Sequence, residues 1–211
     1  MYKRWGKRTL GCLLAFLAAA AFLPFHLIIA LCIRLDSPGP VFFRQQRIGL
    51  HKRWFMIYKY RTMDVHAPHD VPTHLMSESC RYITRVGKVL RKTSLDEVPQ
   101  LLNIILGQMA FIGPRPALWN QDDLVKERDR YGANDVLPGM TGWAQVNGRD
   151  ELSIEEKAQV DGEYVQKMSF LFDIQCMLRT VTSVARQKGV KEGGSDQPKA
   201  DKGEEPFHEK S

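Results

Sequence analysis

Two adjacent carboxylates, Asp96 and Glu97, are the strongest candidates for catalysis in this sequence. They follow two cations, Arg91 and Lys92, and lie where the pattern predicts the start of a helix. Ser94-x-x-Glu97 fits a capping box. In this motif the serine side chain accepts a hydrogen bond from the backbone N–H of the glutamate, and the glutamate side chain accepts one from the backbone N–H of the serine. One interpretation is therefore a capped helix with basic neighbours. The other is a carboxylate nucleophile beside a second carboxylate, with the cations near a phosphate.

Composition limits the class of protein. The chain has 211 residues and 44% hydrophobic content, which suffices for one core and predicts one domain with appendages. The net charge of +6 suits phosphates, an anionic membrane surface or nucleic acid and does not choose among them. The 4 cysteines are far apart and form no CxxC pair. A disulfide framework and a zinc site are therefore not indicated, and a reducing compartment is expected.

An apolar run from Thr9 to Ile33 follows a basic N-terminus. As a straight helix it would be about 36 Å long, which is enough to cross a bilayer core of about 30 Å. The run is too long for a signal peptide. Pro24 near its middle removes a backbone hydrogen bond and predicts a kink in the membrane. Basic residues lie at both ends, so a re-entrant helix that returns to the same side is favoured over a full span.

Two runs rich in aromatic and β-branched residues, which begin at Val41 and Trp54, predict a short β-hairpin near the membrane. Its basic residues form either a positive surface for phosphates, a solvated face, or a face that rests on anionic headgroups. These residues are Arg44, Arg47, Lys59 and Arg61.

Two loops carry further candidates. In Pro114-Arg115-Pro116 the prolines restrict the backbone on both sides, so Arg115 is held in an extended, preset conformation. A functional loop and a structural loop both fit this pattern. The loop of residues 137–150 has glycines that allow close approach to a ligand, and an ordinary structural loop is the alternative. Its polar residues are Thr141, Gln145, Asn147, Arg149 and Asp150.

Helical periodicity predicts helices over most of the remaining chain. The segment after Ser94 is apolar almost all round and should be buried, and Ser153-x-x-Glu156 predicts a second capping box. The last 23 residues contain almost no apolar side chain and predict a disordered tail. The other predicted helices are an amphipathic one at 78–92, a charged surface one at 119–131, and an apolar one at 170–184 that packs on the core or the membrane interface.

Taken together, these segments resemble the bacterial sugar transferases, the small monotopic phosphoglycosyl transferases. The resemblance covers about residues 5 to 190. The motifs that carry it occur in one order. They are Lys7-Arg8, Ser37-Pro-Gly-Pro-Val-Phe-Phe, Gln46-Arg-Ile-Gly, Tyr58-Lys-Tyr-Arg-Thr-Met, Ser94-Leu-Asp-Glu-Val-Pro-Gln-Leu-Leu-Asn, Gly113-Pro-Arg-Pro and Pro138-Gly-Met-Thr-Gly-Trp-Ala-Gln-Val-Asn-Gly-Arg.

The resemblance implies an enzyme on the cytoplasmic face of the bacterial inner membrane. It would move a sugar-1-phosphate from a UDP-sugar to undecaprenyl phosphate and release UMP, an early membrane step of surface polysaccharide or glycoconjugate synthesis. Asp96 would be the nucleophile that forms an acyl-phosphate sugar intermediate, with Mg²⁺ at Asp96 and the diphosphate. Glu97 would position groups or handle a proton. The alternatives are direct attack by the polyprenol phosphate, and a non-catalytic membrane-tethered scaffold that binds lipid or nucleic acid.

The implied partners are the UDP-sugar, undecaprenyl phosphate, inner-membrane lipid and glycosyltransferases of the same pathway, with no nucleic acid. Thr73–Met76 and Pro116–Gln121 are similar to members that use UDP-linked N-acetylated 6-deoxyhexosamines. Two positions depart from the family pattern: Gly11 replaces a common aspartate, and Leu23 replaces the serine before Pro24. Substrate-binding roles are expected for Lys59, Arg61, Arg91, Arg115, Thr141, Gln145, Asn147 and Arg149.

The expected fold is α+β and mainly helical. Residues 1–35 are predicted to form the re-entrant membrane helix, and residues 36–188 a compact helical catalytic domain at the cytoplasmic face, with the hairpin near the membrane. Residues 189–211 form the predicted tail.

Overall fold

The computed structural model of the protein describes residues 2–68, 79–148 and 151–186. The prediction of a mainly helical chain with a small sheet is confirmed within these ranges. The tail at 189–211, the segment Thr73–Met76 and the candidate Arg149 lie outside the described residues.

The first helix, α1 (Lys7–Asp36), runs without interruption through Pro24. By length and composition it is apolar enough to cross a membrane, and little of its apolar window is buried against the rest of the chain. Segments on both sides of Pro24 nevertheless pack on the globular body, because Ala15 lies in one core cluster and Ile33 in another. Much of the remaining surface of α1 exposes leucine, isoleucine and phenylalanine. The helix is therefore suited to a membrane surface, while its re-entrant path and kink stay predictions.

Polar contacts attach both ends of α1 to the domain. At its start, Lys7 Nζ lies 2.6 Å from Asp173 Oδ2 and also contacts the Tyr164 hydroxyl. At its end, Asp36 Oδ2 accepts a hydrogen bond of 2.8 Å from the backbone N–H of Val86. These contacts fix α1 relative to the elements that carry the candidate site.

The predicted hairpin is confirmed: β1 (Phe42–Ile48) and β2 (Trp54–Tyr60) pair antiparallel. A short strand, β4 (Ala117–Leu118), adds to the other edge of β1. A second, parallel pair joins β3 (Ala110–Ile112) to β5 (Gly139–Thr141). These three short strands were not predicted, since two or three residues carry too little periodicity. They place the Pro-Arg-Pro loop between two sheets, directly after β3 and before β4.

Several helices differ from their predicted form. The helix predicted over 78–92 is divided, because Thr84 leaves the helical conformation and its hydroxyl caps the next helix through the amide of Gly87. The apolar helix predicted near 170–184 is confirmed. The helices after the hairpin are α2 (Ser79–Tyr82), α3 (Arg85–Lys92), a 3-10 helix (Leu95–Gln100), α4 (Leu101–Ile105), α5 (Asp122–Asp129), α6 (Trp143–Val146), α7 (Ile154–Lys167) and α8 (Phe170–Arg186).

Two core clusters support the region around Asp96 and Glu97. In the first, Leu101 and Ile104 of α4 pack with Ala15 of α1 and with two residues of β2, Phe55 and Ile57. In the second, α7 and α8 pack on β3. Because the 3-10 helix runs directly into α4, burial of α4 fixes the position of the two carboxylates that precede it.

Candidate active site

The capping box predicted at Ser94 is wrong. Ser94 has a left-handed backbone with φ of 56°, and its side chain makes no capping hydrogen bond. The residues that follow form a 3-10 helix of 6 residues instead of the predicted α-helix start. The carboxylate of Glu97 is therefore not used as a cap, and it is available to side chains from other elements.

Two cations hold Glu97. Lys59 Nζ from β2 donates to Glu97 Oε1 at 2.8 Å, and Arg115 Nη2 from the Pro-Arg-Pro loop donates to the same oxygen at 2.7 Å. Burial by itself would raise the pKa of Glu97, but Arg115 and Lys59 outweigh it and hold this pKa far below its ordinary value. Glu97 consequently stays ionised at neutral pH, which favours a positioning role over proton transfer.

The pKa of Asp96 is shifted in the opposite direction. Burial raises its pKa, and the neighbouring charge of Glu97 raises it further, although Lys59, Arg91 and Arg115 act in the other direction. Two adjacent carboxylates are thus pushed apart in pKa, as expected of acidic residues with different chemical roles. Burial therefore disfavours the ionised form of Asp96, and the three cations favour it.

The cations around the dyad differ in how they are paired. Burial lowers the pKa of Lys59, and the ion pair with Glu97 opposes that effect. Arg91, in the last turn of α3, has a buried Nη1 that finds no hydrogen-bond partner within the described ranges. An unsatisfied buried donor near Asp96 is a natural contact for an anionic oxygen of a ligand.

A cavity of about 470 Å³ opens beside Glu97 and Arg115, between α1 and α8. Its walls are mainly apolar, and Leu14, Met177 and Val181 in these walls are also exposed apolar residues. The cavity therefore joins Glu97 and Arg115 to the apolar outer surface of the two helices.

Besides Arg115, two more of the predicted ligand-binding residues lie in the wall of this cavity. Thr141 shares a hydrogen bond of 2.9 Å with the hydroxyl of Thr180. Both side-chain amide atoms of Gln145 are buried, and neither has a partner in the part of the chain that the structure describes. Their roles in binding stay predictions.

Two other predicted ligand-binding residues lie elsewhere. Arg61 is buried and donates to the carbonyls of Ser37 and Pro38 at 2.7 and 2.6 Å, so it fixes the turn after α1. Asn147 is exposed and bonds to the carbonyl of Trp143 and to Arg179. Both side chains contact local structure here, and their roles in binding substrate stay predictions.

Two arginines that contact the Pro-Arg-Pro loop were not predicted to do so. Arg47 was grouped with the surface cations of the hairpin, but it is half-buried and its Nε is buried. Arg128 was placed in a charged surface helix, but its side chain is buried. For Arg128 a signal existed: it follows Leu124 and Val125 by four and three positions, which puts it on the apolar face of α5. A charged residue on an apolar face indicates a buried partner.

Comparison with known proteins agrees with this geometry. The family model described as bacterial sugar transferase matches residues 2–187. The chain belongs to this family. Its predicted family and its class, a sugar-phosphate transferase, are thereby confirmed, and the enzyme is favoured over a non-catalytic scaffold.

Two relatives are about two fifths identical to the chain over the aligned residues. It is 40% identical over 160 residues to the uncharacterized sugar transferase EpsL of Bacillus subtilis, covering 76% of this chain and 77% of that protein. It is 41% identical over 187 residues to a UDP-glucose:undecaprenyl-phosphate glucose-1-phosphate transferase of Caulobacter vibrioides, covering 84% and 69%.

Other relatives are longer proteins. A UDP-glucose:undecaprenyl-phosphate glucose-1-phosphate transferase of Xanthomonas campestris is 39% identical over 183 residues, covering 83% of this chain and 38% of that protein. A UDP-N-acetylgalactosamine-undecaprenyl-phosphate N-acetylgalactosaminephosphotransferase of Aeromonas hydrophila is 35% identical over 193 residues, covering 88% and 45%. The chain thus spans less than half the length of these two relatives.

Proposed function

We propose that this protein transfers a sugar-1-phosphate from a UDP-sugar to undecaprenyl phosphate at the cytoplasmic face of the bacterial inner membrane, and releases UMP. The names of the relatives from Caulobacter and Aeromonas support both the donor and the acceptor. The observation that carries the proposal is the electrostatic asymmetry of the dyad. Glu97 is held by two cations, whereas Asp96 is half-buried beside them and has a raised pKa.

The first step is attack by a carboxylate oxygen of Asp96 on the phosphorus that carries the sugar. The bond from this phosphorus to the bridging oxygen breaks, and UMP leaves with that oxygen and its electron pair. Attack by an anion on an anionic diphosphate requires charge neutralisation, which the field of Lys59, Arg91 and Arg115 provides. The acyl phosphate that forms retains the sugar on the enzyme.

In the second step an oxygen of the acceptor phosphate attacks the same phosphorus. The bond to Asp96 breaks, the carboxylate is restored, and the lipid-linked diphosphate sugar leaves. Division into two steps lets the water-soluble product depart before the lipid acceptor reacts. Glu97 keeps Lys59 and Arg115 in place throughout, since both cations donate to its Oε1.

The residues present fit Mg²⁺ bound by Asp96 together with the donor diphosphate. Within the described residues no group of three or more His, Cys, Asp or Glu side chains forms a metal cage. Mg²⁺ does not need one, because it commonly binds through one or two carboxylates plus substrate phosphates. Glu97 is already paired with two cations, so Asp96 is the carboxylate available. When bound, the ion supplies further neutralisation of phosphate charge.

The acceptor reaches the dyad through the cavity between α1 and α8. Its apolar walls suit an isoprenoid chain, and Arg115 at its polar side suits the acceptor phosphate. The exposed apolar residues Leu14, Met177 and Val181 form an entry from the membrane side. The proposed donor remains a UDP-sugar, and an N-acetylated 6-deoxyhexosamine is the predicted sugar among candidates that include glucose and N-acetylgalactosamine.

The test is a UMP-release assay on purified protein in detergent with Mg²⁺, undecaprenyl phosphate and a panel of UDP-sugars. UMP is expected with at least one donor, and Asp96→Asn is expected to lower the rate by about a thousandfold or more. Asp135→Asn is the matched control, since Asp135 is exposed. Full activity of Asp96→Asn would overturn the role of this residue as nucleophile.

Omission of the acceptor separates the two enzymatic mechanisms. With UDP-sugar alone, a phosphosugar should accumulate on Asp96 and be located by peptide mass spectrometry, with one equivalent of UMP per active enzyme. If UMP appears only when undecaprenyl phosphate is present and no adduct forms, the acceptor attacks the donor directly and the covalent intermediate is excluded.

A further inference from the structure

We infer that Arg128 and Arg47 are positioning residues for Arg115. They bind carbonyl groups of the Pro-Arg-Pro loop, and this fixes the direction in which the Arg115 guanidinium points toward Glu97. The inference rests on the proposed function for its catalytic consequence. The geometry that carries it lies outside the dyad and was not part of the sequence prediction.

The loop has few ways of being held. Pro114 and Pro116 have no backbone N–H, so Arg115 alone among the three residues has an amide to donate. The carbonyls remain as acceptors, and each of them has a donor. Pro114 accepts from the amide of Gly139 at 2.9 Å, Arg115 from Arg128 Nη1 at 2.9 Å, and Pro116 from Arg47 Nη1 at 3.0 Å.

Arg128 is itself fixed by a buried acid. Its Nε and Nη2 atoms donate to Asp161 Oδ2 at 2.9 and 2.6 Å, and the side chains are 4% and 0% exposed. A buried ion pair contributes little net stability, since desolvation offsets its Coulomb attraction. The arrangement leaves Nη1 directed at the Arg115 carbonyl, which links α5 and α7 to the loop.

Arg47 binds the loop from a different element, β1. Its Nη2 donates to Gln45 Oε1 at 2.6 Å, and β1 pairs with β4 immediately after the loop. Burial and the nearby charge of Arg115 lower the pKa of Arg47 to about 9, so it stays charged at neutral pH. Two like charges repel, and Arg115 is the one that reaches Glu97. Arg47 therefore holds the backbone of the loop while favouring an Arg115 side chain that points toward the dyad.

The test is a double-mutant cycle on the UMP-release rate. The pair Arg128→Met with Asp161→Leu removes both charges together, so that neither stays buried without its partner. It is expected to lower kcat/KM by about 10–100-fold through misplacement of Arg115. In an Arg115→Met background the same pair should change the rate by less than about twofold, because the group it positions is already absent.

A measurement that does not depend on activity and a second variant also test the inference. Hydrogen exchange of a peptide covering residues 113–118 should be faster in the Arg128→Met/Asp161→Leu variant, whatever the activity. Arg47→Met tests the second contact if that variant fails to fold. Asp129→Asn, an exposed neighbour of Arg128 on α5, is the control and should alter neither readout.

The outcomes are distinct. If the losses from Arg115→Met and from the Arg128/Asp161 pair multiply, Arg128 acts independently of Arg115 and the inference is overturned. Unchanged exchange of residues 113–118 also overturns it. If the wild-type protein releases no UMP from any UDP-sugar, the proposed function fails, while the exchange measurement still decides whether these arginines hold the loop.

Discussion

The chain contains the pattern Ser-x-x-Glu before a helix twice, and the two copies fold differently. At Ser153 the capping box is complete: the amide of Ser153 donates to Glu156 Oε2 at 2.9 Å, and the amide of Glu156 donates to Ser153 Oγ at 3.2 Å. At Ser94 the box is absent, and the carboxylate of Glu97 binds Lys59 and Arg115.

The difference shows how tertiary contacts override a local signal. Glu156 is exposed and its carboxylate bonds to the Ser153 amide. Glu97 is mostly buried within reach of two cations, and charge-assisted hydrogen bonds are about twice as strong as neutral ones. Ser94 takes a left-handed backbone instead of a capping one. Backbone strain of this kind costs about 1–3 kcal/mol and clusters at functional sites.

Of the changes that compare the two copies of the pattern, Glu97→Gln is expected to have the largest effect. The neutral amide forms no ion pair and accepts only weaker hydrogen bonds from Lys59 and Arg115, so these cations are held less firmly near Asp96. UMP release should fall by about 10²–10⁴-fold. The matched change Glu156→Gln affects only the exposed cap and should leave the rate within about twofold. Equal losses in the two variants would mean that the carboxylate of Glu97 has no role beyond helix stability.

Asp96→Asn should raise stability while it abolishes activity. Burial raises the pKa of Asp96, so its charged form is unfavourable in the folded protein. Replacement by a neutral amide is expected to increase the free energy of unfolding by about 0.5–2 kcal/mol at neutral pH, the range typical of relieving a functional site. Denaturant unfolding in detergent measures the difference. A loss of stability would show that the three cations outweigh burial.

The same variant has a defined pH dependence. The folded-state pKa of Asp96 lies above its unfolded value of about 3.9, so the folded protein retains the proton over the interval between them. Stability that depends on Asp96 is therefore highest below about pH 4 and falls as pH rises through that interval. The advantage of Asp96→Asn should be smallest near pH 4 and grow toward neutral pH, which unfolding at several pH values would detect.

Ser153→Ala should cost about 1 kcal/mol of stability, because the amide of Glu156 loses its acceptor at the start of α7. Ser94→Ala should change stability by less than about 0.5 kcal/mol, since no cap is lost. Thermal unfolding of the two variants side by side compares the copies directly. A larger loss of stability in Ser94→Ala than in Ser153→Ala would contradict the conclusion that only Ser153 caps its helix.

A small effect of the opposite sign is expected from Ser94→Gly. Glycine adopts the left-handed conformation at position 94 without the steric cost that serine has there. Stability should rise by about 0.5 kcal/mol, because relief of this strain is partly offset by the greater backbone entropy of unfolded glycine. Thermal unfolding again measures the change, and destabilisation would mean that the serine side chain makes a contact worth more than the strain.

The predictions succeeded where the signal is local. The long apolar helix, the hairpin and the cap at Ser153 follow from composition, periodicity and spacing, and the structure contains all three. The parallel pair of β3 and β5 could not be predicted, because each strand has only 3 residues and its partner is distant in sequence. The contacts of Arg61 could not be predicted for a related reason: the strand ends at Tyr60, so the alternation that directs Lys59 to Glu97 does not extend to Arg61, which donates to the carbonyl of Pro38.

The sequence by itself determined the family, the membrane-suited helix and the identity of the two acidic residues, because each depends on residue types at short, fixed spacing. Only the tertiary structure decided how Asp96 and Glu97 differ. Their opposite pKa shifts depend on burial and on Lys59 and Arg115, which reach Glu97 from 38 and 18 positions away. Short-range patterns do not encode such contacts, so the different electrostatic environments of the two carboxylates are a property of the fold.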